Sequence, residues 1–565
     1  MSNAGLPENT DILIIGSGPI GATFARRIKE NGYGGEVVIV DAGPQRSKEP
    51  GQHLKNTYLY QKDRRDFSNV VRAELYPLSI PSANVQIPNL DPIAFWQSAS
   101  RRNNLNPCQD PNFNMPESMA SFAVGGMGLH WTCAIPRFTG LELTKLAELT
   151  GIEEADFNEP YTKAEEYFKN QKPSPFSTSE RGKAIINHLG GQFGTAENLP
   201  VAAQKVGDET DSSQEGNLYI HWTGPSDILG GKVTKENIHE NFVVKQIVYD
   251  DSSGTNTVLS VKGYRYTDKS GKNGFTITIN EGGKVIVAAG AIKTAQLLYH
   301  SLKEGTDHTS EYPALGRYLH EHTMAFTQVI LSKEIVEELG PEPKAFNSSQ
   351  TTLPIKIPTY DLDPTLYIKV DADSEADLTK PEKRPWHCQI HKDPFSYGQI
   401  GKEIEDRLVV DLRWFGMVET VEDNKVVFNK EYEGDPLLDI HGLPQPTFEF
   451  QYIRDSSKDE ELQIAQRHHR MMEHMIEVAN KLGAILPETP PQFLPAGSSL
   501  HTMGTVRMGK KGAIETSVVD PNSKVHNFTN LYLGGPGVIP SMNAVNPTLT
   551  AAALAIIAVD NMMGL

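Results

Sequence analysis

Cysteine is nearly absent: Cys108, Cys133 and Cys388 are the three thiols in 565 residues. An odd, widely spaced set points to free thiols rather than a disulfide framework, so intracellular residence is expected. No apolar run approaches the roughly eighteen residues that a membrane-spanning helix needs. Positive charge is in deficit, with Lys+Arg 53 against Asp+Glu 71 leaving −18. That balance argues against nucleic acid or an anionic lipid surface as a partner and disfavours an acidic substrate. The N-terminus lacks a basic-then-apolar leader, so a cytoplasmic location is the expectation. There is no internal repeat and no low-complexity tract, and no metal is expected. Hydrophobic residues at 38% and charged residues at 22% suit a globular protein. The length exceeds what one core supports, which predicts two domains.

What is present begins with "DILIIGSGPIGATFARRIKE", residues 11–30. Residues 11–15 read as a buried strand, 19–31 as a helix ending near Gly32, and "EVVIVDAG", 36–43, as a second strand ending in an acid. Gly16, Gly18 and Gly21 fit G-x-G-x-x-G between strand and helix. The first allows the tight turn, the second lets a pyrophosphate approach the backbone, and the third lets helix and strand pack closely. The phosphate charge then meets the positive end of the helix. Asp41, twenty residues beyond Gly21, stands where a carboxylate can bind ribose hydroxyls. This predicts a dinucleotide without separating FAD from NAD.

Residues 50–120 read as a long polar excursion. Residues 258–282 alternate apolar and polar, as half-wet antiparallel strands do. "KVIVAAG", 284–290, returns to the buried-strand pattern, and 457–482 forms one long amphipathic helix. The segment 320–455 alternates again, as an antiparallel sheet of a second domain would. The predicted fold is α/β: a discontinuous Rossmann-like dinucleotide domain of residues 1–140, 226–325 and 488–565, with a second α+β domain of 141–225 and 326–487 built on a mostly antiparallel sheet.

Four further stretches carry a resemblance: "SFAVGGMGLHWTCAIPRF" (121–138), "VIVAAGAIKTAQLL" (285–298), "LHTMGTVRMG" (500–509) and "NLYLGGPGVIPSMNAVNPTLTAAALAI" (530–556). In order, and from about residue 10 to the C-terminus, the chain resembles the glucose–methanol–choline oxidoreductases, with Ala295 where a proline is usual. "WHCQIHKDPFSYG" (386–398) and "VDLRWFG" (410–416) resemble the branch that oxidises aldopyranoses at C2. The resemblance implies FAD as the dinucleotide, held by Gly16, Gly18, Gly21, Asp41, Gly125, Gly126, Thr132, Ala289, Gly290, Gly535, Pro547 and Thr548. It also implies a covalent bond from His130 to the flavin, with packing of His130 beside the ring as the alternative, since Gly128-Leu129 stand where Ser-Thr is expected and some relatives hold FAD without a bond.

Oxidising a secondary alcohol requires loss of the hydroxyl proton and of the carbon-bound hydride, so a base near neutral pKa must meet the hydroxyl. By resemblance His501 is that base and Asn546 its amide partner on the same oxygen; Trp131 is read as packing. The resemblance assigns Asp393, Phe395, Ser396 and Tyr397 to a mobile substrate loop, with Gln389 and Arg413 contacting sugar hydroxyls. Pro394, where a small residue is usual, stiffens that loop. The insert between 331 and 386 reads as shorter than in fungal members. The implied reaction takes an aldopyranose such as D-glucose to its 2-keto sugar, with reoxidation by O2 to H2O2 or by a quinone. The alternatives are C3 oxidation of glycosides, an oxygen-insensitive sugar dehydrogenase, a lyase keeping FAD as structure, and a flavin-holding scaffold. A homotetramer is expected, with 50–120 resembling an oligomerisation arm.

Overall fold

The computed structural model describes residues 5–56, 75–81, 105–177, 179–206, 219–252, 254–266, 274–302, 311–339, 366–369, 384–391, 408–455 and 457–564. The opening β-α-β unit is as read. Strand Asn9–Ile15 leads through the glycine turn into helix Pro19–Glu30 and returns as strand Val37–Val40. Pro19 suits the first helical position, where a missing N–H costs nothing, and Arg27 and Lys29 complement the dipole in the last turn.

These strands pair in parallel at the centre of a seven-stranded sheet. Its order is Ile238–His239, Val37–Val40, Asn9–Ile15, Gly274–Val287, Thr257–Arg265 and Phe242–Asp250, with Leu531–Leu533 parallel to Gly274–Val287. The long Gly274–Val287 strand serves two sheet types. Its first half pairs antiparallel with Thr257–Arg265, matching the alternation, and its second half pairs parallel, matching the continuous apolar run. The two halves meet at a bulge where the partner register jumps from Thr10↔Ile279 to Ile12↔Lys284. Gly282, at φ +76°, takes the left-handed turn inside it.

A second seven-stranded sheet is wholly antiparallel. Its order is Gly483–Ile485, Thr323–Leu331, Val409–Gly416, Trp386–His391, Leu366–Lys369 and Thr195–Asn198, with Gln492–Phe493 also on Thr323–Leu331. One face is a core: Trp386, Cys388, Ile390, Val410, Leu412 and Trp414 bury against Met471, Met475, Val478 and Leu482 of helix Asp459–Leu482. Each such side chain contributes about 1.5–3 kcal/mol of burial. The other face carries His387, Gln389, His391, Asp411, Arg413 and Phe415, all buried too. The polar groups of that face are buried from solvent and meet one another and Asn546 instead, as in the Gln389 bonds to His387 and Asn546.

None of the three cysteines forms a disulfide. No helix among the described residues is long and apolar enough to cross a membrane.

Candidate active site

Two glycine loops close on one another. Gly16 sits at φ +103°, and a Cβ there would lie 2.5 Å from the Ala288 carbonyl oxygen, so glycine alone fits the turn. Gly21 faces the Gly16 carbonyl just as closely. Gly18 differs: a Cβ at this position finds no protein atom nearer than the Gly125 carbonyl at 3.9 Å. A side chain at Gly18 would therefore meet no steric conflict within the protein. The helix start behind it has no acid in its first turn and no side-chain cap, which leaves its N–H groups and positive end for an anion.

Gly125, at φ +104°, and Gly126 lie against Gly18 from the second loop. The Ser17 hydroxyl ties the two loops, accepting from the Gly125 N–H at 2.8 Å and donating to Asp41 at 2.6 Å. Asp41 also accepts from the Ser17 and Gly43 N–H groups, at 3.0 and 2.9 Å. Burial raises its pKa against these bonds. Its carboxylate thus braces the loop besides standing at the expected strand end. Gly290 and Gly535 take positive φ, and the Ala289 N–H donates to Thr294 Oγ1 at 3.1 Å.

His130 is buried with Nε2 3.3 Å from Ser121 Oγ, and burial lowers its pKa to about 4. The departure beside it has a steric cause: a Cβ on Gly128 would stand 2.7 Å from Pro19 Cγ and 2.8 Å from Pro225 Cγ. Thr132 is partly exposed and precedes Cys133, whose φ of +62° marks a constrained turn.

His501 and Asn546 stand 45 positions apart in sequence, yet Asn546 Nδ2 donates to His501 Nε2 at 3.1 Å. His501 is partly exposed and Asn546 is buried. Burial, with His322 and His387 alongside, holds the His501 pKa well below the ordinary imidazole value. The ring is therefore uncharged at neutral pH, with one ring nitrogen holding a lone pair. Leu500, just before it, adopts φ +56°, a left-handed backbone unusual for a leucine. Gln389 joins the group from the antiparallel sheet, donating to Asn546 Oδ1 at 2.7 Å and to His387 Nε2 at 2.9 Å. Arg413 is the cross-strand neighbour of Gln389, 3.5 Å from the Asp411 carboxylate. Pro547 and Thr548 open the C-terminal helix Thr548–Met563 directly after Asn546. Asp393, Pro394, Phe395, Ser396 and Tyr397 lie outside the described residues.

The structure adds residues not singled out from sequence. Glu321 is buried and accepts from the Gly497 N–H, Ser499 Oγ at 2.7 Å and the His501 N–H at 3.2 Å. Glu142 accepts from the Ala544 and Val545 N–H groups at 2.7 and 3.2 Å, and burial pushes its pKa up to about 7. One carboxylate thus holds the loop before His501 and another the loop before Asn546. His322 Nδ1 lies 3.0 Å from His501 Nδ1, and its Nε2 lies 2.6 Å from Asn543 Oδ1. The sequence signal was "HEH" at 320–322, three polar residues leading into an apolar strand.

A GMC oxidoreductase model matches residues 441–555. A pyranose 2-oxidase of Emericella nidulans is 36% identical over 97% of this chain and 91% of its own. A C-glycoside 3-oxidase of Arthrobacter globiformis is 26% identical, covering 98% and 95%. Among solved structures, pyridoxine 4-oxidase from Mesorbium loti shares the fold, with TM-score 0.61 at 14% identity over 98% of this chain and 99% of that one. The sequence identity sustained over nearly the whole length places this chain in the pyranose 2-oxidase branch of the GMC oxidoreductases.

Proposed function

We propose that the chain oxidises aldopyranoses such as D-glucose at C2, with FAD as the electron acceptor and O2 or a quinone reoxidising it to give H2O2 or hydroquinone. The observation that carries this is the convergence of His501, Asn546 and Gln389, from three remote segments, on a buried polar sheet face. The donor set fits FAD: the open position at Gly18, the uncapped helix start and the paired Gly125-Gly126 loop form a cradle for a pyrophosphate. FAD supplies the two-electron sink that takes the carbon-bound hydrogen as hydride.

His501 Nε2 takes the hydroxyl proton and Asn546 donates to the same oxygen, stabilising negative charge as it develops. Gln389 and Arg413, with Asp393, Phe395, Ser396 and Tyr397, bind the sugar. A pocket built to bond each hydroxyl rejects an epimer that leaves its polar groups unpaired. Asp41 binds ribose, and Gly16, Gly18, Gly21, Gly125, Gly126, Thr132, Ala289, Gly290, Gly535, Pro547 and Thr548 hold the cofactor. His130, neutral because buried, has the nucleophilic form that a covalent flavin bond requires. Acid precipitation that releases all the yellow colour would reject that bond.

The FAD-binding domain comprises 1–140, 226–325 and 488–565, with 141–225 and 326–487 binding substrate. The assembly is a homotetramer, to be checked by light scattering; most of the proposed arm at 50–120 lies outside the described residues. Anaerobic titration with D-glucose should bleach the flavin band, and the product should be the 2-keto sugar. The 3-keto product would favour the C3 reading, which the resemblance to a C-glycoside 3-oxidase keeps in view.

A further inference from the structure

Hydrogen-bond direction along the chain Ser541–Asn543–His322–His501–Asn546 is fixed from one end. Asn543 Nδ2 faces the Ser541 carbonyl at 3.0 Å and Met503 Sδ at 3.2 Å, both acceptors. Turning the amide over would set oxygen against a carbonyl oxygen, so Oδ1 points to His322. An acceptor 2.6 Å from His322 Nε2 puts the His322 proton on that nitrogen. Its Nδ1 then carries a lone pair, and the Nδ1 of His501, 3.0 Å away in a near-perpendicular ring at 74°, must donate to it. A neutral His501 with its proton on Nδ1 has its lone pair on Nε2. The far end agrees, since Asn546 presents an N–H to that atom while its own oxygen accepts from Gln389.

We propose that His322, anchored by Asn543, is the positioning residue that fixes the tautomer of His501 and so makes Nε2 the base. The inference rests on His501 acting as the base. When Nε2 gains the substrate proton, His501 becomes an imidazolium whose Nδ1–H still points at the His322 lone pair, and that acceptor stabilises the charge. The groups facing the two rings come from every neighbouring element. They are His387 on strand Trp386–His391, Phe415 on Val409–Gly416, His320 and Glu321 ahead of Thr323–Leu331, and Tyr452, which donates to the His322 carbonyl at 3.0 Å. Burial holds His320, His322 and His387 below the ordinary imidazole value, so they are neutral near pH 7.

The tautomer can be read without turnover. Neutron diffraction from deuterated wild-type holoprotein near neutral pH should show deuterium on His501 Nδ1 and on His322 Nε2. Deuterium on His501 Nε2, or on His322 Nδ1, overturns the proposal. Stopped-flow reduction of the flavin by D-glucose then separates positioning from scaffolding. His322→Phe should slow reduction about tenfold or more and move the acid limb of the pH profile to lower pH, because the imidazolium has lost its acceptor. His322→Gln, whose amide can accept from His501 and donate to Asn543, should recover most of the rate. An unchanged rate and limb in His322→Phe would count against the proposal. A wild-type neutron map as expected, with no reduction by glucose, would leave the tautomer standing and remove the substrate reading instead.

Discussion

At the scale of single residues, the chemistry is proposed for His501 and Asn546, and two buried carboxylates hold the loops that carry them. His501→Ala removes the base and should slow flavin reduction by about a thousandfold, read by anaerobic stopped-flow, with FAD content unchanged. Glu142 tests the support. Its Oε1 accepts both the Ala544 and Val545 N–H groups, immediately ahead of Asn546. Glu142→Leu leaves those donors buried without a partner, so chemical denaturation should show a loss of about 1–3 kcal/mol together with a lower reduction rate. Glu142→Gln keeps the acceptor oxygen and should stay near wild type in both. His501 and Asn546 were legible in the sequence because each sits in a long distinctive motif. Glu142, Glu321 and His322 were not, because each acts on a loop or ring remote in sequence, and no local pattern marks the contact.

At the scale of elements, the glycine loop offers a clean contrast. Gly16→Ala forces a Cβ onto the Ala288 carbonyl at a left-handed backbone position, and should cost about 1–3 kcal/mol on thermal unfolding. Gly18 has an ordinary φ of −63° and open space before it. Gly18→Ala should leave apoprotein stability within about 0.5 kcal/mol while the FAD-to-protein ratio falls. If both properties held, the pyrophosphate would not lie at Gly18. Strands and helices were largely readable, since period-2 alternation marks the antiparallel sheet and the apolar run marks its parallel neighbour. The alternation did not reveal that the polar face of 386–391 and 409–416 is as buried as the apolar one. A half-wet strand and a strand lining an interior site carry the same pattern.

At the scale of the whole molecule, buried imidazoles set the response to acid. His130, His320, His322, His441, His468 and His474 have pKa values lowered to about 4, and His387 to about 3, chiefly by burial. In the unfolded chain each titrates near pH 6.5. Between roughly pH 6.5 and 4 the unfolded state therefore binds more protons than the folded one, and stability falls as pH drops through that window. Asp41, Glu142 and Glu321, with raised pKa values, pull the other way, but three carboxylates do not offset seven imidazoles. Melting temperatures should decline steeply below about pH 6; a flat profile down to pH 4 would contradict the burial of these rings. The two ends of the chain also meet. Arg27 grips Asp560 through two bonds at 2.7 and 2.8 Å, and strand Leu531–Leu533 lies beside Gly274–Val287. Because Arg27 lies on the helix behind the first glycine loop and Asp560 on the helix that follows Asn546, strain at either helix is passed to both the proposed cofactor cradle and the proposed proton-handling pair.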